Sequence, residues 1–189
     1  RGLGDVYKRQ VLWGQEVVKD GTVKAVVLNS GGANCYTGPE GFQTTHAVAE
    51  RVAGHVGIGP IDVVVCSTGL IGLANSRADL LAGVDAAAAT LSVAGGIDAA
   101  EAIMTTDSVS KSVLVQGAGW SIGGMAKGAG MLAPQLATML VVITTDAVVG
   151  AAELDTALRA ATRVSFDRLD SDGCMSTNDT VTVMSSGAS

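Results

Sequence analysis

Two stretches of the chain each run from a short apolar strand pattern, through a glycine-containing loop, into a helix pattern. In the first, residues 23–28 lead into the turn-forming NSGGAN and then into a helical pattern over 39–55, with Pro39 in its first turn. In the second, the strand pattern 61–66 leads through STGLIG into a helix pattern over 77–91. Strands that alternate with helices in this way predict the α/β class.

The remaining elements continue this alternation. Asp155 and Arg159 lie four residues apart on the polar face of the last predicted helix, which predicts an ion pair between them. The further predicted elements are a short helix at 98–104, strands at 111–115, 120–125, 138–144 and 181–184, and a helix at 151–163.

The composition indicates how such a fold builds its core. Hydrophobic residues make up 48% of the chain and aromatic residues only 3%, so Ala, Val, Leu and Ile must fill the interior. The net charge is -6, and no Lys/Arg cluster alternates with aromatic residues, which argues against a nucleic-acid partner. Cys35, Cys66 and Cys174 are odd in number and form no C-x-x-C pair. This spacing argues against a disulfide framework or a structural metal site and favours a reducing, cytoplasmic setting.

Two further expectations concern membrane insertion and the ends of the chain. Asp85 and Asp146 interrupt the two most apolar windows, so neither reaches the roughly 18 apolar residues that a spanning helix needs. The chain begins at Arg1 and stops after SSGAS, so we expect a fragment of a longer protein. Residues 1–10 carry no periodicity that joins them to the first predicted strand, and we set them apart as a candidate non-native leader.

Several short motifs have to be weighed as alternatives. Residues 119–123 match the G-x-S-x-G pattern of serine hydrolases, but that motif must open a helix, and the following GGMAKGAG is a poor helix former. No phosphate-binding glycine motif follows a strand. His46 and His55 are not spaced i,i+4, so we expect packed or solvated histidines rather than a metal pair.

The stretch 127–140, KGAGMLAPQLATML, suggests covalent chemistry at Thr138. A threonine hydroxyl needs an adjacent base, and cleavage of the Ala137–Thr138 bond would supply the α-amino group of Thr138 itself, which titrates near pH ~8. The glycines at 128 and 130 and Pro134 favour a turn-rich approach to that bond. Taken alone, the stretch favours the plainer interpretation of an ordinary loop that enters a buried strand, because Ala-Thr pairs are common.

A second stretch supplies groups that such chemistry requires. Thr68 and Gly69 follow the predicted strand 61–66, where a hydroxyl and a backbone N–H can point at one developing oxyanion. Lys127 is a cation within a glycine-rich apolar stretch, suited to binding a carboxylate. The plainer alternatives are a strand-to-loop turn at Thr68 and a solvated lysine at 127.

Together these motifs resemble the glutamate N-acetyltransferase / ornithine acetyltransferase family of arginine biosynthesis. The resemblance is carried by LNSGGANCYTGPEGF, CSTGLIG, AIMTTD, GGMAKGAGMLAPQLATML, TTDA and SFDRLDSDGCMSTNDTVTVMSSGAS, in order from about residue 11 to the end. It implies a layered α/β/β/α fold and self-cleavage between Ala137 and Thr138. Residues 11–137 would then belong to the α chain and 138–189 to the β chain of one structural domain, truncated at both ends.

The resemblance also implies an activity. Thr138 would be the nucleophile and would carry an acetyl group from N²-acetylornithine to glutamate, with Thr68 and Gly69 forming the oxyanion hole. Thr105, Lys127 and Thr138 match the family's substrate-binding residues. No cofactor or metal is implied, and acetyl-CoA is a second candidate donor. The implied assembly is α2β2.

Two other functions use the same residues differently. A self-processing hydrolase or aminopeptidase with an N-terminal threonine would pass the acyl group from Thr138 to water instead of to glutamate. A non-catalytic packing module would use the glycine loops only for tight turns. The polar segment 176–179, Ser-Thr-Asn-Asp, resembles a family signature to which no role is assigned, and its plainest interpretation is a turn before the last strand.

Overall fold

The computed structural model describes residues 9–129, 138–169 and 176–188. Short 3-10 turns follow the first helix, precede the second strand and follow the last helix. In chain order the helices and strands are α1 (Arg9–Val17), β1 (Ala25–Asn29), α2 (Gly38–Val56), β2 (Val63–Ser67), α3 (Arg77–Ala89), α4 (Gly96–Ala102), β3 (Lys111–Gly117), β4 (Trp120–Lys127), β5 (Leu140–Thr145), α5 (Ala151–Val164) and β6 (Thr180–Ser185). The predicted α/β class is confirmed.

The two strand–loop–helix units share one sheet. Strands β1 and β2 pair in parallel, from Ala25 opposite Val63 to Asn29 opposite Ser67. Every residue of β2 is buried, because helices α1 and α2 pack against this strand. The predicted core of small aliphatic side chains is observed in this cluster, which joins α2 and β2 through residues such as Val48, Ala49 and Val65.

Helix α1 adds two polar anchors to this aliphatic core. The indole N–H of Trp13 donates to the carbonyl of Val63 at 2.9 Å, and the side-chain amide of Gln10 donates to the carbonyl of Ser67 at 2.9 Å. Gln10 is buried, so the described part of the segment 1–10 that we set apart as a leader belongs to a packed helix. The rest of that segment lies outside the described residues.

A second sheet contains the other four strands in the order β3-β4-β5-β6. Strands β3, β4 and β5 are antiparallel neighbours, whereas β5 and β6 run in parallel. Strand β3 is an exposed edge. Ser121 of the G-x-S-x-G motif lies within β4 and donates its hydroxyl to Asp146 at 2.7 Å. That motif therefore forms a strand rather than a nucleophile elbow.

Most predicted bounds differ from the structure by one to three residues, and one difference has a clear local cause. The strand predicted from Thr138 begins at Leu140, because the N–H of Met139 is donated to the carboxylate of Asp179 rather than to a neighbouring strand.

The predicted ion pair of α5 is confirmed, with Arg159 Nε 2.8 Å from an oxygen of Asp155. No helix in the described ranges is long and apolar enough to cross a membrane.

Two of the three cysteines can be placed. Cys35 and Cys66 are free and buried, and Cys174 lies outside the described residues. Burial raises the pKa of the Cys66 thiol to about 12. A thiol with such a pKa stays protonated near neutral pH, so Cys66 serves as a small core side chain rather than as a nucleophile.

We expect Trp13→Phe to lower the free energy of unfolding by about 1–3 kcal/mol, because it removes the indole donor and leaves a buried carbonyl with one partner fewer. Urea unfolding followed by far-UV circular dichroism measures the change. Trp120→Phe is the matched control, since Trp120 is 40% exposed, and should change stability by less than about 0.5 kcal/mol. Equal losses at both positions would contradict the anchoring role of Trp13.

Candidate active site

The loop after β2 is shaped by its contact with the loop after β1. Thr68 donates its N–H to the carbonyl of Asn29 at 3.0 Å, and Leu70 donates its N–H to the carbonyl of Gly31 at 3.0 Å. Between them, Gly69 has φ +125, and a Cβ there would lie 2.3 Å from the carbonyl oxygen of Gly31. Only glycine allows this approach.

This loop leaves the N–H of Gly69 available. The flanking N–H groups of Thr68 and Leu70 are both donated to the β1 loop, whereas Gly69 N–H has no acceptor among the described residues. The Thr68 side chain is also buried. These two groups are the donors that the sequence predicts for an oxyanion site.

Lys127 lies at the end of β4 and is buried, with only 1% of its surface exposed. Its ammonium donates to the hydroxyl oxygen of Thr68 at 3.0 Å. The alternative of a solvated lysine is therefore wrong. Burial lowers the pKa of Lys127, and the nearby carboxylates of Asp107 and Asp179 oppose that shift.

Asp107 connects Thr105 to the end of β4. One carboxylate oxygen accepts the N–H of Gly128 at 2.7 Å and also the ammonium of Lys111, and the other accepts the N–H of Thr105 at 3.3 Å. Burial alone would raise the pKa of Asp107, but these hydrogen bonds hold the pKa below its usual value. The side chain of Thr105 is exposed, and its described hydrogen bond is made by the backbone alone.

Thr138 is buried and lies two residues before the first residue of β5. Its hydroxyl oxygen accepts a hydrogen bond from the Ser176 hydroxyl at 3.1 Å. Ala137, the residue on the other side of the predicted cleavage bond, lies outside the described residues, as do Gly130 and Pro134.

Strand pairing brings the lysine and the threonine to one edge of the second sheet. Lys127 pairs with Leu140, two residues after Thr138. A Cβ on Gly128 would lie 3.4 Å from the Cα of Met139. The end of β4 and the start of β5 are thus side by side, and Lys127 reaches from this edge to Thr68 of the first sheet.

The segment 176–179, to which the sequence assigned no role, lies at the same edge. Strands β5 and β6 are parallel with Leu140 opposite Thr180, so the residues before them are neighbours. Asn178 is fully buried, and its side-chain amide donates to the carbonyl of Ala33 in the loop after β1. In the sequence this segment could be noticed only as a polar run directly before a predicted strand. The parallel pairing of β5 with β6 is what places the run beside Thr138.

The comparison with known protein families agrees with this geometry. The ArgJ family model matches residues 5–189, nearly the whole chain. The chain belongs to the ArgJ family. This confirms the family predicted from the motifs.

Individual ArgJ proteins show how close the relationship is. The arginine biosynthesis bifunctional protein ArgJ of Streptomyces coelicolor is 65% identical over 95% of this chain and 47% of its own length. The corresponding protein of Thermobifida fusca is 59% identical over 95% of this chain and 47% of its own length. The chain thus spans about half the length of these curated relatives.

Solved structures place the fold in the same family. The ornithine acetyltransferase of Mycobacterium tuberculosis, crystallised in complex with ornithine, matches with 50% identity and a TM-score of 0.65, over 72% of this chain and 75% of that one. An arginine biosynthesis bifunctional protein ArgJ from Bacillus halodurans matches with 28% identity and a TM-score of 0.55, over 71% of this chain and 73% of that one.

The two histidines of this ArgJ chain lie apart from the site. His46 packs edge-on against the ring of Trp13, and His55 Nε2 lies 2.7 Å from a carboxylate oxygen of Asp85. Within the described ranges, no group of three His, Cys, Asp or Glu side chains is arranged to hold a metal ion.

We expect Gly69→Ala to destabilise the protein by about 1–3 kcal/mol more than Gly72→Ala, because only the first forces a methyl group onto a backbone oxygen. Gly72 has φ +82 with nothing within 4 Å of a Cβ, so alanine there should cost only the backbone strain of about 1–2 kcal/mol. Urea unfolding of both variants makes the comparison. Equal losses would show that the Gly31 contact does not restrict residue 69.

Proposed function

We propose that the complete protein containing this chain transfers the acetyl group of N²-acetylornithine to glutamate through an acetylated Thr138. The observation that carries the proposal is the 50% identity to an ornithine acetyltransferase crystallised with ornithine. The buried hydroxyl of Thr138 and the Thr68–Gly69 loop supply chemistry that suits such a transfer.

The proposed sequence begins with cleavage of the chain. The Thr138 hydroxyl attacks the carbonyl of Ala137, the peptide C–N bond breaks, and the resulting ester is hydrolysed by water. This releases a free α-amino group on Thr138 and a carboxylate on Ala137. The amine is then placed to act as the base for its own hydroxyl.

The acetyl transfer then takes two steps. The Thr138 hydroxyl attacks the acetyl carbonyl while its amine takes the proton, and the proton passes to the departing nitrogen of ornithine. The amine of glutamate next attacks the acetyl ester, and Thr138 leaves as the free hydroxyl with its proton restored. No metal or redox cofactor enters this scheme, and acetyl-CoA remains a predicted second donor.

Each step forms an oxyanion, and we propose that the Thr68–Gly69 loop stabilises it with hydrogen bonds. The Gly69 N–H is free to donate. The Thr68 oxygen already accepts from the Lys127 ammonium, so its own hydrogen is available and is made a stronger donor by the adjacent charge. We further propose that Lys127 and Thr105 bind substrate.

The larger assembly is also part of the proposal. Association of α and β chains as α2β2 is predicted from the family resemblance, and a cytoplasmic location is predicted from the cysteine pattern. The alternative function, a self-processing hydrolase, differs only in the molecule that accepts the acyl group from Thr138, which is water instead of glutamate. Incubation of the complete protein with acetylornithine, with and without glutamate, separates the two: acetylglutamate formation supports transfer, and glutamate-independent acetate release supports hydrolysis.

We expect Thr138→Ala in the complete protein to prevent chain cleavage and to lower acetylglutamate formation by at least about 10³-fold, because the variant lacks the nucleophile. Intact mass spectrometry detects the two chains, and chromatography detects the product. Thr156→Ala, an exposed threonine on α5, is the control and should behave as wild type. Normal transfer by Thr138→Ala would exclude the mechanism.

We expect Lys127→Ala to raise the KM for acetylornithine or glutamate by about tenfold, as loss of one charge-assisted contact predicts. Self-cleavage should be affected less. Initial rates over a range of each substrate give the KM, and a time course of intact mass gives the cleavage rate. Lys19→Ala is a matched control, since Lys19 is exposed. Unchanged KM values for both substrates would remove Lys127 from substrate binding.

A further inference from the structure

The polar segment 176–179 contacts the residues on which the proposed chemistry depends. The Ser176 hydroxyl lies 3.1 Å from the Thr138 hydroxyl. The Asp179 carboxylate accepts the N–H of Met139, the next residue, at 2.7 Å. Two side chains of one short segment therefore hold both the reacting hydroxyl and the peptide that follows it.

The Ser176 hydroxyl has two hydrogen-bonding partners. The Ser176 oxygen accepts the N–H of Asn178 at 3.1 Å, while its hydrogen is donated to Thr138. In this arrangement the Thr138 oxygen accepts, and its own hydrogen can be donated to a base. The contact with Ser176 thus restricts the rotamer of the nucleophile.

The same segment is tied to the oxyanion loop. The Asn178 side chain donates to the carbonyl of Ala33, and the N–H of Ala33 is donated to the carbonyl of Leu70 at 2.9 Å. Leu70 directly follows Gly69. One continuous set of hydrogen bonds therefore runs from the nucleophile, through 176–179, to the loop proposed to hold the oxyanion.

Residues 138 and 139 need such contacts. They precede β5, which pairs with β4 only from Leu140 onward. After cleavage before Thr138 they would form a chain end, and chain ends are poorly ordered unless they are tied down. The Thr180 N–H, donated to the carbonyl of Met139 at 3.0 Å, is the backbone part of this attachment.

We propose that the segment 176–179 positions the nucleophile, with Ser176 orienting the Thr138 hydroxyl and Asp179 holding the peptide behind it. This role deepens the proposed acetyl transfer and rests on it for turnover. It applies to self-cleavage as well, because the same hydroxyl attacks in both reactions.

The test compares Ser176→Ala with Ser176→Thr in the complete protein. We expect Ser176→Ala to slow both self-cleavage and kcat by at least about tenfold, in keeping with the sensitivity of such reactions to the placement of the attacking atom. The KM values should stay within about twofold of wild type, because Ser176 contacts the nucleophile. Ser176→Thr retains a hydroxyl and should restore most of both rates.

Controls separate positioning from folding. Ser112→Ala, on the exposed edge strand β3, should leave both rates and the melting temperature unchanged. If Ser176→Ala does not fold, Asp179→Asn and Asp179→Ala test whether the segment 176–179 positions the nucleophile. The first keeps an acceptor for Met139 N–H and should cleave within about threefold of wild type, and the second should be at least about tenfold slower.

A smaller effect of Ser176→Ala, or a Ser176→Thr variant as slow as Ser176→Ala, would overturn the proposal. So would equal cleavage rates for the two Asp179 variants if the Ser176 variants do not fold. A wild-type protein that cleaves itself but makes no acetylglutamate would instead refute the acetyl transfer. The cleavage rates of the variants would still test whether the segment 176–179 positions Thr138.

Discussion

The hydrogen bond from the buried Lys127 ammonium to the Thr68 hydroxyl joins the two sheets at the candidate site. Lys127 ends β4 of the second sheet, and Thr68 follows β2 of the first. Burial of an unpaired ammonium would cost several kcal/mol. The hydrogen bond to Thr68 gives this ammonium a partner, and the attraction of Asp107 and Asp179 opposes the lowering of its pKa by burial.

The glycine loops after β1 and β2 allow their backbones to approach each other closely beside this bond. Gly69 lies against the carbonyl of Gly31, and Leu70 pairs with the same loop through hydrogen bonds to Gly31 and Ala33. The paired strands β1 and β2, of which β2 is fully buried, end at this point. The position of the Gly69 N–H is therefore set by backbone contacts rather than by flexible side chains, as a preorganised oxyanion site requires.

Cleavage before Thr138 would divide this site between two chains without breaking the contacts described above. Thr68, Gly69, Thr105 and Lys127 would fall on one chain, and Thr138 with the segment 176–179 on the other. The contacts that join them are noncovalent and include the pairing of β4 with β5 and the bond from Asn178 to Ala33. The contact from Ser176 to Thr138 lies within the second chain and would survive cleavage.

Periodicity and short motifs were enough to predict the α/β class, most elements to within a few residues, and the ArgJ family. These are local properties, since periodicity, glycine loops and short motifs need no knowledge of distant partners. Thr68, Gly69 and Thr138 could be singled out because each sits in a short stretch with a chemical meaning. The burial of Lys127 against Thr68 and the position of the segment 176–179 beside Thr138 could be seen only in the folded chain. Both depend on pairings between residues about 40 to 60 positions apart, and sequence periodicity carries no information about which strands will be neighbours.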